Sequence, residues 1–151
     1  MKLIDGVKVT RLNQFIDERG KVMHMLRNDW DVYDKFGEIY FSCTNPNVVK
    51  AWHLHKEMTL NYAVITGCIK CVLYDDRNNS PTKGEINEFF MSPEDYYLLT
   101  VPPLIWNGWK GVGTSISIVA NCATIPHSND EIIRKSPFDK SISYDWDVKN
   151  R

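Results

Sequence analysis

The sequence lacks the features that would place a protein in a membrane, in a secretory pathway or on nucleic acid. No apolar run approaches the roughly 20 residues of a membrane-spanning helix, and the opening segment, MKLIDGVKVTRL, has no apolar stretch typical of a signal peptide. The 18 Lys and Arg residues nearly balance the 19 Asp and Glu residues, so no surplus of positive charge favours nucleic acid or an anionic membrane. We therefore expect a cytoplasmic protein with neither partner.

Cysteines are also few, and their spacing excludes a simple zinc or redox site. Cys68 and Cys71 form a C-x-x-C pair, but no second pair completes a zinc site. Residues three apart on a strand also face opposite sides, and this pair lies in a strand-like run. We interpret all four cysteines, Cys43 and Cys122 included, as reduced residues with packing roles.

What the sequence does contain is a series of short strand-like segments. An aromatic content of 12% suits β structure with a wide interior. The segments are bounded by turn residues and cover 21–26, 38–44, 48–55, 59–65, 69–74, 85–91, 97–101, 105–110 and 115–124. Many short strands with turns between them indicate a sandwich or a jelly-roll barrel. At 151 residues, we expect one all-β domain over 1–151.

Both ends of the chain are harder to interpret. Residues 3–12 are predicted as an edge strand, and 130–136 as a short helix. Residues 142–146 are predicted as a strand-like or packed apolar segment. The polar end, DVKNR, is expected to be frayed.

The most informative stretch covers residues 48–67, VVKAWHLHKEMTLNYAVITG. It places His53 and His55 two residues apart on a predicted strand, so both imidazoles project from the same face. Tyr40 and Lys50 lie nearby in the sequence. A cluster of this kind is typical of functional sites, although hydrogen-bonded interior histidines are the alternative.

Six motifs follow one another in an order and spacing that is similar to one known family. They are D-x-R-G at 17–20, K-A-W-H at 50–53, V-I-T-G at 64–67, Y-D-D-R with S-P-T-x-G at 74–84, V-P-P-x-x-x-N-G-W at 101–109 and S-Y-D-W at 143–146. They resemble the dTDP-4-dehydrorhamnose 3,5-epimerases. The resemblance implies a cupin fold, a double-stranded β-helix with little helix. It also implies a homodimer that epimerises a nucleotide-linked 4-keto-6-deoxy sugar, without metal or cofactor, for deoxysugar and polysaccharide biosynthesis.

A related group, the dTDP-4-oxo-6-deoxyglucose 3,4-ketoisomerases, is similar over one motif in particular. Their R-G-x-H-A-H-K aligns without a gap on KAWHLHK at 50–56. This resemblance implies that both His53 and His55 are active-site residues, and it matches Tyr40 to an aromatic position. Ketoisomerisation of the same substrate class is therefore an alternative activity.

The epimerase resemblance also assigns roles and shows departures. It puts His53 on the general base, Lys50 on an Arg that grips the diphosphate, and Glu131 on a substrate-binding Glu. The proton-donor Tyr of the family falls on Ala120. The family's C-terminal segment, which supplies the Asp that pairs with the catalytic His, lies beyond Arg151.

The chemistry implied by the resemblance needs a base and an acid. A proton must leave the carbon beside a carbonyl, which suits histidine, and the enolate oxygen needs a fixed donor or positive charge. His53 is the candidate base, and His55 or Tyr40 is the candidate second acid or orienting group. Asp75, on a strand expected to adjoin, is a candidate to orient His53, or has no role at a strand end.

Candidate substrate contacts come from several parts of the chain. They are Lys50, Arg19, Asn107, Trp109 and Glu131. Each has a structural alternative: a solvated cation, a packed aromatic side chain, or a carboxylate at the start of a helix.

Two other functions compete with the enzyme. A metal cupin also begins with H-x-H, but its later ligands fall on Thr59 or Leu60 and on Trp106 or Asn107, so two histidines alone leave the site incomplete. A non-catalytic sugar-binding cupin is favoured by Ala120.

Overall fold

The structure is a computed structural model that describes residues 2–149, and it is built from strands. The strands are β1 (Lys8–Arg11), β2 (Gln14–Asp17), β3 (Gly20–Met23), β4 (Glu38–Thr44), β5 (Val49–His55), β6 (Leu60–Thr66), β7 (Ile69–Asp75), β8 (Ile86–Met91), β9 (Tyr97–Val101), β10 (Ile105–Gly111), β11 (Ser117–Ala123) and β12 (Ile132–Arg134). Residues 2–149 contain no helix, and hence none long and apolar enough to cross a membrane.

The strands form two antiparallel five-stranded sheets. The first sheet has the order β1-β9-β6-β11-β4, and the second has the order β12-β5-β10-β7-β8. Strands β2 and β3 form a separate hairpin. The prediction of an all-β cupin jelly roll is confirmed.

The main core lies between the two sheets and follows the two-residue period of the strands. Alternate residues of β6, β7, β9 and β10 point inward, so each strand contributes one face. The largest inward-facing set is Leu60, Tyr62, Val64, Ile69, Cys71, Leu73, Leu99, Val101, Ile105 and Trp109. Burial of Cys71 raises the pKa of its thiol to about 12, so the thiol stays protonated, as its predicted packing role requires.

The opposite face of the second sheet is covered by the C-terminal segment. Trp52, which is fully buried, packs against Trp146 with ring centroids 5.0 Å apart. Ile142 is also buried in this cluster. Residues 142–146 are therefore a packed apolar segment, one of the two forms predicted for them. Of the frayed end expected from the sequence, Asn150 and Arg151 lie outside the described residues.

The predicted helix at 130–136 is wrong, because this segment contains strand β12. Ile132 pairs with His55 and Arg134 pairs with His53. The edge of β5 that faces away from β10 pairs with this segment. This pairing satisfies the backbone N–H and C=O groups of the segment that a helix would have satisfied locally, so a long-range contact overrides the local pattern. The strand predicted at 3–12 is also shorter, and begins at Lys8.

A bulge in β5 changes which of its residues share a face. Asn107 pairs with His53, but Trp109 pairs with Lys50, so between these two pairs one residue of β10 opposes two residues of β5. The extra residue turns the Lys50 side chain to the same side as His53, which regular alternation would not do. Gly108 makes this possible, because a Cβ there would lie 2.3 Å from the Ala51 Cβ.

Candidate active site

A cavity of about 410 Å³ opens between β4 at the edge of the first sheet and β5 and β12 of the second. Its lining combines basic and other polar side chains with three aromatic side chains. The lining residues are Glu38, Tyr40, Ser42, Lys50, His53, His55, Tyr62, Trp109, His127, Ile132 and Arg134. Five residues predicted from the sequence are therefore brought together here: Tyr40, Lys50, His53, His55 and Trp109.

Strand alternation explains why both histidines reach the cavity. Trp52 and Leu54, which flank His53, point to the opposite side and pack under the C-terminal segment. Burial of the large Trp52 side chain fixes the rotation of β5 about its axis, because a shift of one residue would expose it. His53 and His55 must then face inward.

His53 is surrounded by positive charge. Burial lowers its pKa, and the neighbouring Arg134, His55 and Lys50 lower it further, to about 4. The imidazole is therefore neutral near pH 7. Its main-chain oxygen accepts a hydrogen bond of 3.0 Å from Asn107 Nδ2, which holds the strand in place.

His55 has a different neighbour. Its Nδ1 lies 3.4 Å from Glu131 Oε1, and both side chains are buried. Burial lowers the pKa of His55, and the Glu131 carboxylate opposes that shift. Glu131 also accepts hydrogen bonds from the backbone N–H groups of Glu57, at 3.0 Å, and Met58, at 2.9 Å. The structure thus places Glu131 behind His55 rather than in the cavity lining.

Tyr40 faces the histidines from β4. Its hydroxyl oxygen accepts a hydrogen bond of 3.0 Å from Asn121 Nδ2, which leaves the phenolic hydrogen available to another acceptor. Burial raises the pKa of Tyr40, so the phenol is protonated at neutral pH.

Ala120, the position matched to the family's Tyr, is turned away from the cavity. It pairs with Ala63, which packs on the outer face of the first sheet, whereas its neighbour Asn121 pairs with the inward-facing Tyr62. A tyrosine at 120 would therefore point away from the histidines. Tyr40 and Tyr62 both line the cavity, but the Tyr62 hydroxyl already donates to Asn107, so Tyr40 is the candidate aromatic acid.

Asn107 and Trp109, both predicted as substrate contacts, lie on β10 and make buried hydrogen bonds within the protein. Asn107 is fully buried, and its Oδ1 accepts a hydrogen bond of 3.0 Å from the Tyr62 hydroxyl. Trp109 Nε1 donates to Thr44 Oγ1 at 2.9 Å. The predicted substrate contact of Asn107 is replaced by contacts that hold β5 and Tyr62, while Trp109 does line the cavity.

Lys50 and two basic residues that the sequence did not reveal contribute to the cavity lining. Lys50 Nζ donates to Ser42 Oγ at 3.0 Å. Arg134 and His127 line the same cavity. They lie in or beside the segment predicted as a helix, and no local pattern indicated that they would lie near His53. Glu38 and Ser42 were detectable, because each is two residues from Tyr40 on one strand.

Two predicted site residues lie elsewhere. Arg19 contacts Asp17 in the β2–β3 turn, with an Nε–Oδ2 distance of 3.2 Å, and it is exposed. Asp75 is on β7, which is separated from β5 by β10. Its buried carboxylate contacts Arg77 Nε at 2.9 Å and Thr82 Oγ1 at 2.7 Å, so the structure places it in a loop contact and not beside His53.

The metal alternative depends on the donor set. Among residues 2–149, no three His, Cys, Asp or Glu side chains are grouped as metal ligands. The one carboxylate in contact with His55 already accepts two backbone hydrogen bonds.

Comparisons with known proteins agree with the resemblance found in the sequence. The family described as dTDP-4-dehydrorhamnose 3,5-epimerase matches residues 2–151. The probable low-salt glycan biosynthesis epimerase Agl13 of Haloferax volcanii is 35% identical over 147 residues, which cover 96% of this chain and 91% of that protein. The spore coat polysaccharide biosynthesis protein SpsL of Bacillus subtilis is 31% identical over 151 residues, covering 99% and 100%.

A crystal structure gives the same result in three dimensions. The dTDP sugar isomerase from Desulfovibrio desulfuricans superimposes with a TM-score of 0.93 at 41% identity. The match covers 97% of this chain and 95% of that protein.

Proposed function

The chain belongs to the dTDP-4-dehydrorhamnose 3,5-epimerase family, and on that premise we propose that it is a single-domain, metal-independent epimerase or isomerase of a nucleotide-linked 4-keto-6-deoxy sugar. The observation that carries the proposal is the cavity in which two histidines from β5 face a protonated tyrosine from β4. A place in polysaccharide biosynthesis is suggested by the names of the two relatives.

The cavity contains the groups that enolisation requires. A neutral imidazole can take the proton beside the 4-keto group, and an N–H or cationic group can stabilise the enolate oxygen. Tyr40 can return a proton from the other side of the sugar, which inverts the carbon. All of these steps use side chains of the cavity, and none needs a metal ion.

The basic residues of the cavity suit the diphosphate of a nucleotide sugar. Lys50 and Arg134 both line it, and the guanidinium of Arg134 can bind phosphate oxygens through two parallel hydrogen bonds. The resemblance assigned this role to residue 50 alone.

Replacing Arg134 by glutamine is expected to raise the KM for the nucleotide sugar about tenfold, because one charge-assisted phosphate contact is lost. The fall in kcat should be smaller than this rise in KM. Steady-state kinetics measure both constants, and Lys83→Gln is the matched control, because Lys83 is exposed in the 76–84 loop. Equal KM values for the two variants would contradict the proposed phosphate site.

Incubation with dTDP-4-keto-6-deoxyglucose, followed by NMR of the products, tests the function itself. Inversion at C3 or C5 is the expected result. Migration of the carbonyl would instead support the ketoisomerase alternative, which the presence of both histidines in the cavity favours. Binding without conversion would indicate a non-catalytic sugar-binding cupin. The absence of both binding and conversion would contradict this substrate class.

We further propose a homodimer in the cytoplasm. The outer face of edge strand β4 exposes Ile39 and Phe41, and the β2–β3 hairpin exposes Phe15, Ile16 and Val22. Apolar surface next to an edge strand is typical of an interface. All four cysteines are unpaired, in keeping with a reducing compartment.

Replacing Phe41 by glutamate is expected to convert the dimer to a monomer, because a charge would be buried without a partner. Light scattering coupled to size exclusion gives the mass of each species. Phe138→Glu serves as the control, because Phe138 is 80% exposed on the C-terminal segment. A wild-type protein of one-chain mass would contradict the dimer.

A further inference from the structure

We propose that His55, positioned by Glu131, removes the proton from the sugar, and that His53 donates a hydrogen bond to the developing enolate oxygen. This assignment rests on the proposed function and makes it more specific. It also departs from the family resemblance, which puts the base on His53.

The contact between His55 and Glu131 is built into the fold. Glu131 directly precedes β12, and β12 pairs with the strand that carries His55. Its carboxylate is fixed by the backbone N–H groups of Glu57 and Met58 at the end of that strand. The side chains of Glu131 and His55 are only 8% and 6% exposed, so water screens the electrostatic interaction between them weakly.

The carboxylate acts on the imidazole through its charge, because His55 Nδ1 lies 3.4 Å from Glu131 Oε1 without hydrogen-bond geometry and has no other hydrogen-bond partner among the described residues. A carboxylate beside Nδ1 favours the tautomer that carries its hydrogen on Nδ1, which leaves the Nε2 lone pair free to take a proton. When it does so, the imidazolium that forms is stabilised by Glu131. A histidine oriented by a carboxylate in this way is a common general base in enzymes.

His53 has the opposite surroundings. Arg134, Lys50 and His55 all lower its pKa, whereas Glu38, the carboxylate in the lining of the same cavity, acts on Tyr40. A proton taken by His53 would add a positive charge next to the cations Arg134 and Lys50. A neutral His53 can instead donate its N–H to an oxygen on which negative charge develops.

The proposed reaction transfers protons only. The C–H bond beside the carbonyl breaks, its proton moves to His55 Nε2, and its electron pair forms the enolate, whose oxygen accepts a hydrogen bond from His53. Tyr40 then gives its phenolic proton to the same carbon from the other side. Proton exchange with water returns His55 to the neutral form and Tyr40 to the protonated form, with no net oxidation or reduction.

Glutamine substitutions separate the two histidines, because glutamine keeps an N–H donor but does not take a proton. Deuterium incorporation from D₂O into dTDP-4-keto-6-deoxyglucose measures the abstraction step. His55→Gln is expected to slow it about 10³-fold or more, whereas His53→Gln should slow it about tenfold, as a less well placed donor would. Equal losses, or a greater loss in His53→Gln, would overturn the assignment.

Glu131→Gln tests the positioning role in a second way. The charged and titratable groups that act on His55 are Glu131, His127, Arg134 and His53. Removing the negative charge of Glu131 should lower the pKa of His55 and move the acid limb of the pH profile of kcat/KM to lower pH. It should also slow abstraction by about 10- to 100-fold. An unmoved acid limb would overturn the role of Glu131.

A readout without substrate keeps this inference distinct from the proposed function. The ¹⁵N chemical shifts of His55 in the free protein report its tautomer and pKa, and they should show hydrogen on Nδ1 in the wild type and a lower pKa in Glu131→Gln. If the wild-type protein does not exchange deuterium into the substrate, the proposed function is contradicted. A wild-type His55 with hydrogen on Nε2 would overturn the positioning by Glu131.

Discussion

Replacing Tyr40 by phenylalanine is expected to reduce epimer formation about 10³-fold while leaving deuterium exchange at the reacting carbon largely intact. Tyr40 is on β4, across the cavity from the histidines of β5, so it is placed to return the proton on the opposite side of the sugar. The variant keeps the ring and loses only the hydroxyl, which accepts a hydrogen bond from Asn121. Abstraction and return of the proton should therefore be uncoupled.

NMR in D₂O measures both quantities in one sample. Deuterium at the reacting carbon reports enolate formation, and the coupling constants of the product report inversion. Tyr33→Phe is the control, because Tyr33 lies in the loop before β4 and does not line the cavity. Epimer formation at the wild-type rate in Tyr40→Phe would show that another group returns the proton.

Replacing Asp75 by asparagine is expected to lower the free energy of unfolding by about 3 kcal/mol, because it leaves Arg77 without its buried anion. Asp75 is fully buried, and its carboxylate contacts Arg77, Ser80 and Thr82. Arg77 also donates to the main-chain oxygen of Asp5, so the carboxylate holds the 76–84 loop and the N-terminal segment together. The loss should appear in denaturant unfolding curves.

The same contacts fix the pH dependence of that stabilisation. Burial acts to raise the pKa of Asp75, but the hydrogen bonds from Arg77, Ser80 and Thr82 outweigh it and hold the pKa well below its ordinary value. The stabilisation is therefore complete above the unfolded-state pKa of about 3.9 and is lost as the pH falls below it. The difference between wild type and variant should be constant from about pH 6 to 8 and should shrink below about pH 4.

A control and a second readout separate this structural role from the orienting role predicted from the sequence. Asp76→Asn alters an exposed neighbour, and it should change stability by no more than about 0.5 kcal/mol. The pH profile of kcat/KM should be the same in Asp75→Asn as in the wild type, because Asp75 does not line the cavity. A displaced profile with unchanged stability would instead support the orienting role.

The fold was predictable from the sequence because the strands are local patterns. The bounds of β4 at 38–44 and of β9 at 97–101 agree with the prediction. Strand β9 is buried along its whole length, and it is a short apolar run that ends at a pair of prolines. Strand β12 was missed, because a three-residue strand carries almost no periodic signal. Only its pairing with β5 makes it a strand.

The site was predictable to the extent that its residues share a strand. His53 and His55 follow from the two-residue period, and Tyr40 follows from the resemblance. Arg134 and the contact of Glu131 with His55 depend on where β12 returns to the sheet, which no local pattern specifies. Lys50 reaches the cavity through the bulge opposite Gly108. The resemblance implied a role for Lys50 in the site, but the two-residue period alone would turn its side chain away from His53.

The most direct test of an enolising site between β4 and β5 is a crystal structure of the His55→Gln protein soaked with dTDP-4-keto-6-deoxyglucose. The proposal predicts the diphosphate beside Lys50 and Arg134. The sugar should lie between Tyr40 and residue 55, with its 4-keto oxygen within hydrogen-bond distance of His53. A nucleotide sugar bound outside this cavity, or one whose sugar ring points away from both β5 side chains, would contradict it.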